Sequence, residues 1–184
     1  MPFTFEKNNL PGVILITPAV FSDARGFFLE TYKESEFTAA NIIEKFVQDN
    51  HSYSVRGVLR GLHFQTKPKI QAKLVRVIEG TIWDVAVDIR PRSDTFLKWI
   101  ACELTKENRQ MIYIPAGFAH GFLTLSDEAH VAYKCTAEYD PLCDAGIRYD
   151  DPDISISWPL TETIVSDKDK NLPYVKDVDL TGVL

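Results

Sequence analysis

Val58-Leu59-Arg60-Gly61-Leu62-His63-Phe64-Gln65 reads as a β-strand, yet it carries a guanidinium and an imidazole among apolar neighbours. Burying either group costs roughly several kcal/mol unless it is paired or put to use. A strand that tolerates both is expected to line a cavity. The plainer alternative puts Arg60 at a rim and leaves His63 as a core histidine bonded to a backbone carbonyl. Side chains alternate across a strand, so Arg60 and His63, of opposite parity, fall on opposite faces of a regular one. A bulge at Gly61, or pairing that begins only after Arg60, would bring both to one cavity.

Outward from this stretch, short apolar runs follow in quick succession. Residues 13–17, 27–32, 46–50, 73–79, 82–89, 99–104, 111–114, 121–125 and 131–138 all qualify as strands. Turn residues separate them at 22–26, Glu79-Gly80-Thr81, Asp94-Thr95 and Lys106-Glu107-Asn108. One helix is expected, capped by Ser35, because Phe37, Ala40, Ile43 and Phe46 recur at roughly helical spacing with Ile42 beside them. Many short strands with few helices predict an all-β sandwich or barrel, the jelly roll being one such design. The tail after Asp140 is rich in Asp and Pro and lacks periodicity, so it is expected to wrap the outside or lie across an opening. No repeat or linker divides residues 1–184, and one domain is expected.

The 184 residues suffice for one domain with a real core, and 45% hydrophobic with 25% charged residues is ordinary for a globular protein. A net charge of −6 and no Lys/Arg-rich run argue against a nucleic-acid surface, while a few arginines could still hold a small anion. No segment reads as a signal peptide or a membrane span. Cys102, Cys135 and Cys143 show no C-x-x-C spacing and no even framework, so reduced thiols in a cytoplasmic protein are the simplest expectation.

Alternation also sorts the polar side chains. Within residues 82–89, Trp83, Val85 and Val87 share one face, and Asp84, Ala86 and Asp88 the other. In so apolar a strand Asp84 is a candidate to orient a histidine, with a solvated acid as the competing reading. Lys73 opens a strand, where a lysine is usually solvated; inside a cavity its ammonium would stabilise a developing oxyanion. Pro115-Ala116-Gly117-Phe118-Ala119-His120 fixes the chain, turns it, and delivers a histidine at the start of the next strand. Tyr133 lies mid-strand, where a half-buried core tyrosine is the alternative to a chemical role. A metal needs three or four convergent ligands; only His63 and His120 offer themselves, so no metal is expected.

At this point the residues resemble a known family. Pro115-x-Gly117-x-x-His120 is similar to the second conserved motif of the cupins, a jelly-roll superfamily. Metal-binding cupins also carry a His-x-His pair, whereas His63 is followed by Phe64 and Gln65, so the resemblance is to a metal-free cupin. Over nearly its whole length the chain is similar to the dTDP-4-dehydrorhamnose 3,5-epimerase family. Four signatures carry this: Asp23-x-Arg25-Gly26-Phe27-Phe28-x-Glu30, Gln48-Asp49-Asn50-His51-Ser52, the run from Gly57 to Gln65, and Phe118-Ala119-His120-Gly121-Phe122. Tyr133-Lys134, Tyr139 and Ser166-x-Lys168-Asp169 extend the match towards the carboxyl terminus.

The resemblance implies a cytoplasmic homodimer of jelly rolls that converts dTDP-4-dehydro-6-deoxy-D-glucose to dTDP-4-dehydro-L-rhamnose without a cofactor. The C4 ketone acidifies the hydrogens at C3 and C5, so the minimum equipment is a base, an enolate stabiliser and an acid across the ring. By match to the family, His63 is the base, an imidazole being largely neutral near pH 7. Asp169 is the carboxylate that fixes its tautomer, although spacing alone allows Asp167. Lys73 stabilises the enolate oxygen and Tyr133 supplies the proton from the opposite face. His120 matches a sugar contact. Arg25, Phe28, Glu30, Gln48, Asp49, Asn50 and Arg60 match substrate contacts, chiefly at the nucleotide end, where guanidinium forks suit a diphosphate. Tyr139 matches the residue stacked on the thymine. Asp144 and Lys168 match further contacts, Asp144 standing where the pattern often carries Glu. Part of the 25–30 segment crosses to the partner in the family, so each site is expected to draw on two subunits. The alternatives are an epimerase acting at C3 or C5 alone, a ketoisomerase of a related dTDP-4-keto sugar, a metal-dependent cupin oxygenase, and a non-catalytic sugar-nucleotide binder.

Overall fold

Alternation along the strands decides which faces are buried, and pairing then stacks those faces. A computed structural model describes residues 2–184. In chain order the strands are β1 (Phe3–Lys7), β2 (Ile14–Pro18), β3 (Val20–Asp23), β4 (Gly26–Leu29), β5 (Gln48–Val55), β6 (Val58–Gln65) and β7 (Lys73–Glu79). There follow β8 (Thr81–Asp88), β9 (Trp99–Thr105), β10 (Met111–Ile114), β11 (Phe118–Thr124), β12 (Glu128–Cys135), β13 (Asp144–Gly146) and β14 (Ile164–Val165). Two sheets face each other as a jelly roll: β1-β2-β10-β7-β12-β5, and β13-β6-β11-β8-β9 with β14 added in parallel beside β6. β3 and β4 form a separate hairpin.

Between the sheets lie Val75, Val77, Ile82, Ala86, Ile112, Ile114, Phe118, Phe122 and Val131. The second sheet is covered on its other face as well, where Leu62, Phe64, Val85, Val87 and Ala119 meet Ile147, Ile154, Val175, Leu180 and Val183 of the tail. The tail therefore wraps the outside of that sheet. Burial on both faces explains why β11 is buried at every position and shows no polar alternation. That uniform run also hid its start: β11 begins at Phe118, three residues before the expected strand, and His120 sits within it.

The one helix foreseen is shorter than its spacing suggests. It spans Glu34–Ala39 (α1), with Lys33 rather than Ser35 at the N-cap. Asn41 turns left-handed at φ 71 and ends it. Phe37 and Ile42 are buried against Phe3, Ile14 and Ile16, whereas Ile43 points to solvent. A four-residue helix, Asp167–Lys170 (α2), follows β14.

Asp88, at the end of β8, shows how the fold satisfies a structural acid. Fully buried, it accepts from the Arg90 backbone and guanidinium, Ser93 Oγ and Thr95 Oγ1. Burial raises its pKa, but these donors outweigh burial and hold the carboxyl down at about 2. Its contribution to stability is thus fully present above the unfolded value of 3.8 and is lost as pH falls through about 2. Asp88→Asn is expected to cost about 2 kcal/mol at pH 7, or roughly 4–8 °C in Tm for a chain of this size. Thermal melts at neutral and strongly acidic pH check this, the difference narrowing in acid.

Candidate active site

The site starts from an irregularity in β6. His63 pairs with His120 on β11, but Arg60 pairs with Phe122, so Gly61 and Leu62 together oppose Gly121. The extra residue returns Arg60 to the parity of His63 and removes the conflict read from the sequence. Only glycine fits at this bulge. Gly61 has φ +132, and a Cβ there would lie 2.5 Å from Gly121 Cα and 2.9 Å from the His120 carbonyl oxygen. Gly61→Ala is expected to cost at least about 2 kcal/mol and to lower turnover by displacing His63, as melts and assays of the purified variant would reveal.

Asp169 reaches His63 because β14 lies parallel to β6, with Val165 beside Leu59. The next residue, Ser166, caps α2 by accepting from the Asp169 backbone N–H at 3.1 Å. Asp169 is thereby buried, with Oδ1 2.7 Å from His63 Nε2 and Oδ2 accepting from the Gly61 N–H at 3.3 Å. Asp167 instead points outward and pairs with Lys170. Burial raises the Asp169 pKa, but the His63 bond, with help from Gly61 and Lys168, outweighs it and holds the carboxyl below its usual value. An ionised Asp169 takes the Nε2 proton of His63 as a hydrogen bond, leaving Nδ1 as the atom able to accept another.

The facing sheet supplies the other chemical groups. Lys73 and Tyr133 come from β7 and β12, where Lys73 pairs with Cys135 and Tyr133 with Val75. Lys73 Nζ reaches to 3.5 Å from the His63 carbonyl oxygen across the gap. His63, Lys73 and Tyr133 line one cavity of about 190 Å³, together with Gln48, Asn50, Gln71, Cys135, Tyr139, Asp144 and Lys168. Burial lowers the Lys73 pKa, an effect opposed by Cys135, Asp84 and Asp144. Burial raises the Tyr133 phenol, Arg60 pulling the other way, so the hydroxyl keeps its proton well above neutrality. His120 is buried beside His63, its Nε2 2.8 Å from Asp84 Oδ2. Asp84 thus orients a histidine and is not a solvated acid.

The mouth of the cavity is a polar rim. Gln48 Nε2 donates to Asn50 Oδ1 at 2.9 Å, and Gln48 Oε1 accepts from the Tyr139 N–H at 2.7 Å. Tyr139 OH donates to Asp144 Oδ2 at 3.3 Å, and Lys168 forms an ion pair with Asp144.

Six of the expected contacts are absent from the cavity wall within one subunit, the buried His120 among them. Arg25 is 90% exposed on the β3–β4 hairpin and bonds to Asp23, while Phe28 is 65% exposed. Glu30 follows that hairpin and is absent from the cavity wall. Arg60 donates instead to Ser54 Oγ and the Tyr53 carbonyl of β5. Asp49 lies between Gln48 and Asn50 in β5, so the two-residue period turns it to the outer face, where it pairs with Lys134. Gln71 and Cys135 line the cavity without having been foreseen. Cys135 shares parity with Tyr133, a usable signal; Gln71 precedes β7 and carried none. Among the described residues no group of three or more His, Cys, Asp or Glu side chains is placed to hold a metal ion.

With this geometry in view, comparison with known proteins is direct. The family model described as dTDP-4-dehydrorhamnose 3,5-epimerase matches residues 7–177. A dTDP-4-dehydrorhamnose 3,5-epimerase of Methanothermobacter thermautotrophicus is 56% identical over 172 residues, covering 92% of each chain. The crystal structure of a dTDP-6-deoxy-D-glucose-3,5-epimerase from Legionella pneumophila, in complex with dTDP-4-keto-L-rhamnose, superposes with a TM-score of 0.93. It is 41% identical, over 96% of this chain and 95% of that one. A 3'-monoepimerase of Streptomyces bikiniensis in complex with dTDP-quinovose has a TM-score of 0.86 at 33% identity, over 92% and 86% of the two chains. The extent and identity of these matches place the chain in the dTDP-4-dehydrorhamnose 3,5-epimerase family.

Proposed function

We propose that this protein converts dTDP-4-dehydro-6-deoxy-D-glucose to dTDP-4-dehydro-L-rhamnose, inverting C3 and C5 without a cofactor. The observation that carries this reading is the placement of His63, backed by Asp169, and of Tyr133 on facing sheets around one cavity. His63 Nδ1 takes the proton from the carbon beside the C4 ketone, and Asp169 stabilises the imidazolium so formed. The electron pair moves to the C4 oxygen, where the Lys73 ammonium meets the developing charge. Tyr133 returns a proton to the other face of the same carbon. Exchange with water then resets both groups before the second carbon reacts.

At about 190 Å³ the cavity falls short of the roughly 300–1,000 Å³ usual for whole ligands. It suits the hexose, with the nucleotide lying along the rim of Gln48, Asn50, Tyr139, Asp144 and Lys168. Arg25 and Phe28 sit on, and Glu30 directly follows, a hairpin with three largely exposed phenylalanines, Phe21, Phe27 and Phe28. In our reading this hairpin enters the partner's cavity in a homodimer and closes the nucleotide end, while Arg60 serves from the rim. Asp49 then acts from behind, its bond to Lys134 bracing β5 under Gln48 and Asn50. No helix among the described residues is long and apolar enough to cross a membrane; with three free thiols we place the protein in the cytoplasm.

The test is incubation with dTDP-4-dehydro-6-deoxy-D-glucose in deuterated water, read by NMR. Deuterium at both C3 and C5 is expected. Label at one carbon would favour a single-centre epimerase, the second reading, which the likeness to a 3'-monoepimerase keeps specific. Binding without label would mean a non-catalytic sugar-nucleotide protein. Stoichiometric iron, with activity lost on chelation, would mean a metal-dependent cupin.

A further inference from the structure

We propose that Asp84 is a positioning residue of the epimerisation, a carboxylate beneath the cavity that fixes the tautomer of His120 and sets a negative charge against Lys73. This inference rests on the reaction proposed above. Asp84 projects from β8 to the inner face and is fully buried. Its Oδ2 accepts from His120 Nε2 at 2.8 Å, and its Oδ1 has no hydrogen-bond partner among the described residues. Asp88, four residues along on the same face, shows the contrast: both of its oxygens are taken up by Arg90, Ser93 and Thr95. A buried carboxylate kept only for stability is expected to be satisfied in that way. Asp84 leaves one oxygen uncommitted at the foot of the site.

Two consequences follow for the chemistry. His120 commits Nε2–H to Asp84, and burial lowers its pKa further than Asp84 raises it, so the ring is neutral at pH 7. Its Nδ1 is then a bare acceptor. A bare acceptor suits a sugar hydroxyl and repels an enolate, which leaves the C4 oxygen to Lys73.

Lys73 must stay an ammonium although burial works against it. The ionisable groups around it are Cys135 and Tyr133 on β12, His63 on β6, His120 on β11, Asp84 on β8 and Asp144 on β13. Burial pushes the Cys135 thiol up to about 11, so it carries no charge near neutrality. Asp144 is engaged by Lys168, and Asp169 in α2 by His63. Asp84 is the carboxylate of this set with an oxygen to spare.

Asp84→Asn keeps the shape and removes the charge. The expected result is kcat lowered about 10- to 100-fold, the range for outer-shell carboxylates that orient a histidine ligand, with KM changed far less. The alkaline limb of the kcat profile should move to lower pH, because Lys73 then loses its proton more readily. Lower stability with an unmoved limb would reduce Asp84 to a structural residue and overturn the proposal. Nitrogen-15 NMR of the wild-type imidazoles needs no variant: a neutral His120 protonated at Nε2 is expected from about pH 6 to 8. An Nδ1–H tautomer, or an imidazolium, overturns it. A wild-type protein that incorporates no deuterium would defeat the proposed reaction instead, a separate outcome from an active enzyme whose Asp84 variant behaves normally.

Discussion

His63→Ala is expected to lower kcat by about 10²- to 10⁴-fold, the range for removal of a positioned general base, and to abolish deuterium incorporation at C3 and C5 together. Tyr133 keeps its proton, and His120, whose Nε2 is held by Asp84, is left to a sugar hydroxyl in the reading above. KM should change much less than kcat, because the base acts on the proton rather than on the nucleotide. The variant also strands Asp169, whose carboxyl is held below its usual value chiefly through His63. Its folding should therefore be checked by melting before kinetics are compared. Exchange surviving at either carbon would assign the base to another group.

Tyr133→Phe separates the two halves of the reaction. The ring and its packing against Val75 and Val131 remain, so the fold should lose less than about 1.5 kcal/mol. Without the phenol, inversion is expected to fall by about 10²- to 10⁴-fold. Proton removal persists, however, because His63 and Lys73 are intact. Deuterium should then enter from the His63 side with retention of configuration, so that exchange outruns epimerisation. The raised phenol pKa keeps this acid protonated through neutral and mildly alkaline pH, and the wild-type profile should show no loss from Tyr133 there. An unimpaired Phe variant would remove the phenol from the mechanism.

Much of this site is legible in the chain as written. The bounds of β6, β7 and β10 follow from runs of β-branched and aromatic residues ended by turns. The same-face placement of Asp84 and Ala86 follows from a period of two, a property of each strand by itself. His63, Lys73 and Tyr133 stand out as candidates from their strand contexts, and the family resemblance adds Asp169 and the role expected of each. Local chemistry also misled in places: the spacing of Phe37, Ile43 and Phe46 suggests a helix that Asn41 ends early. Asp49, quoted within a matching motif, faces away from the cavity its neighbours line.

What the linear order could not decide is which strands become neighbours. The hydrogen bond between His63 and Asp169 spans 106 positions, and it depends on β14 docking beside β6. The bulge that reconciles Arg60 with His63 exists only because Gly61 meets Gly121 on another strand. Local preferences act over a few residues and are written in composition and period. Facing partners, by contrast, are selected by the packing of two sheets around one core, so their geometry belongs to the folded chain alone.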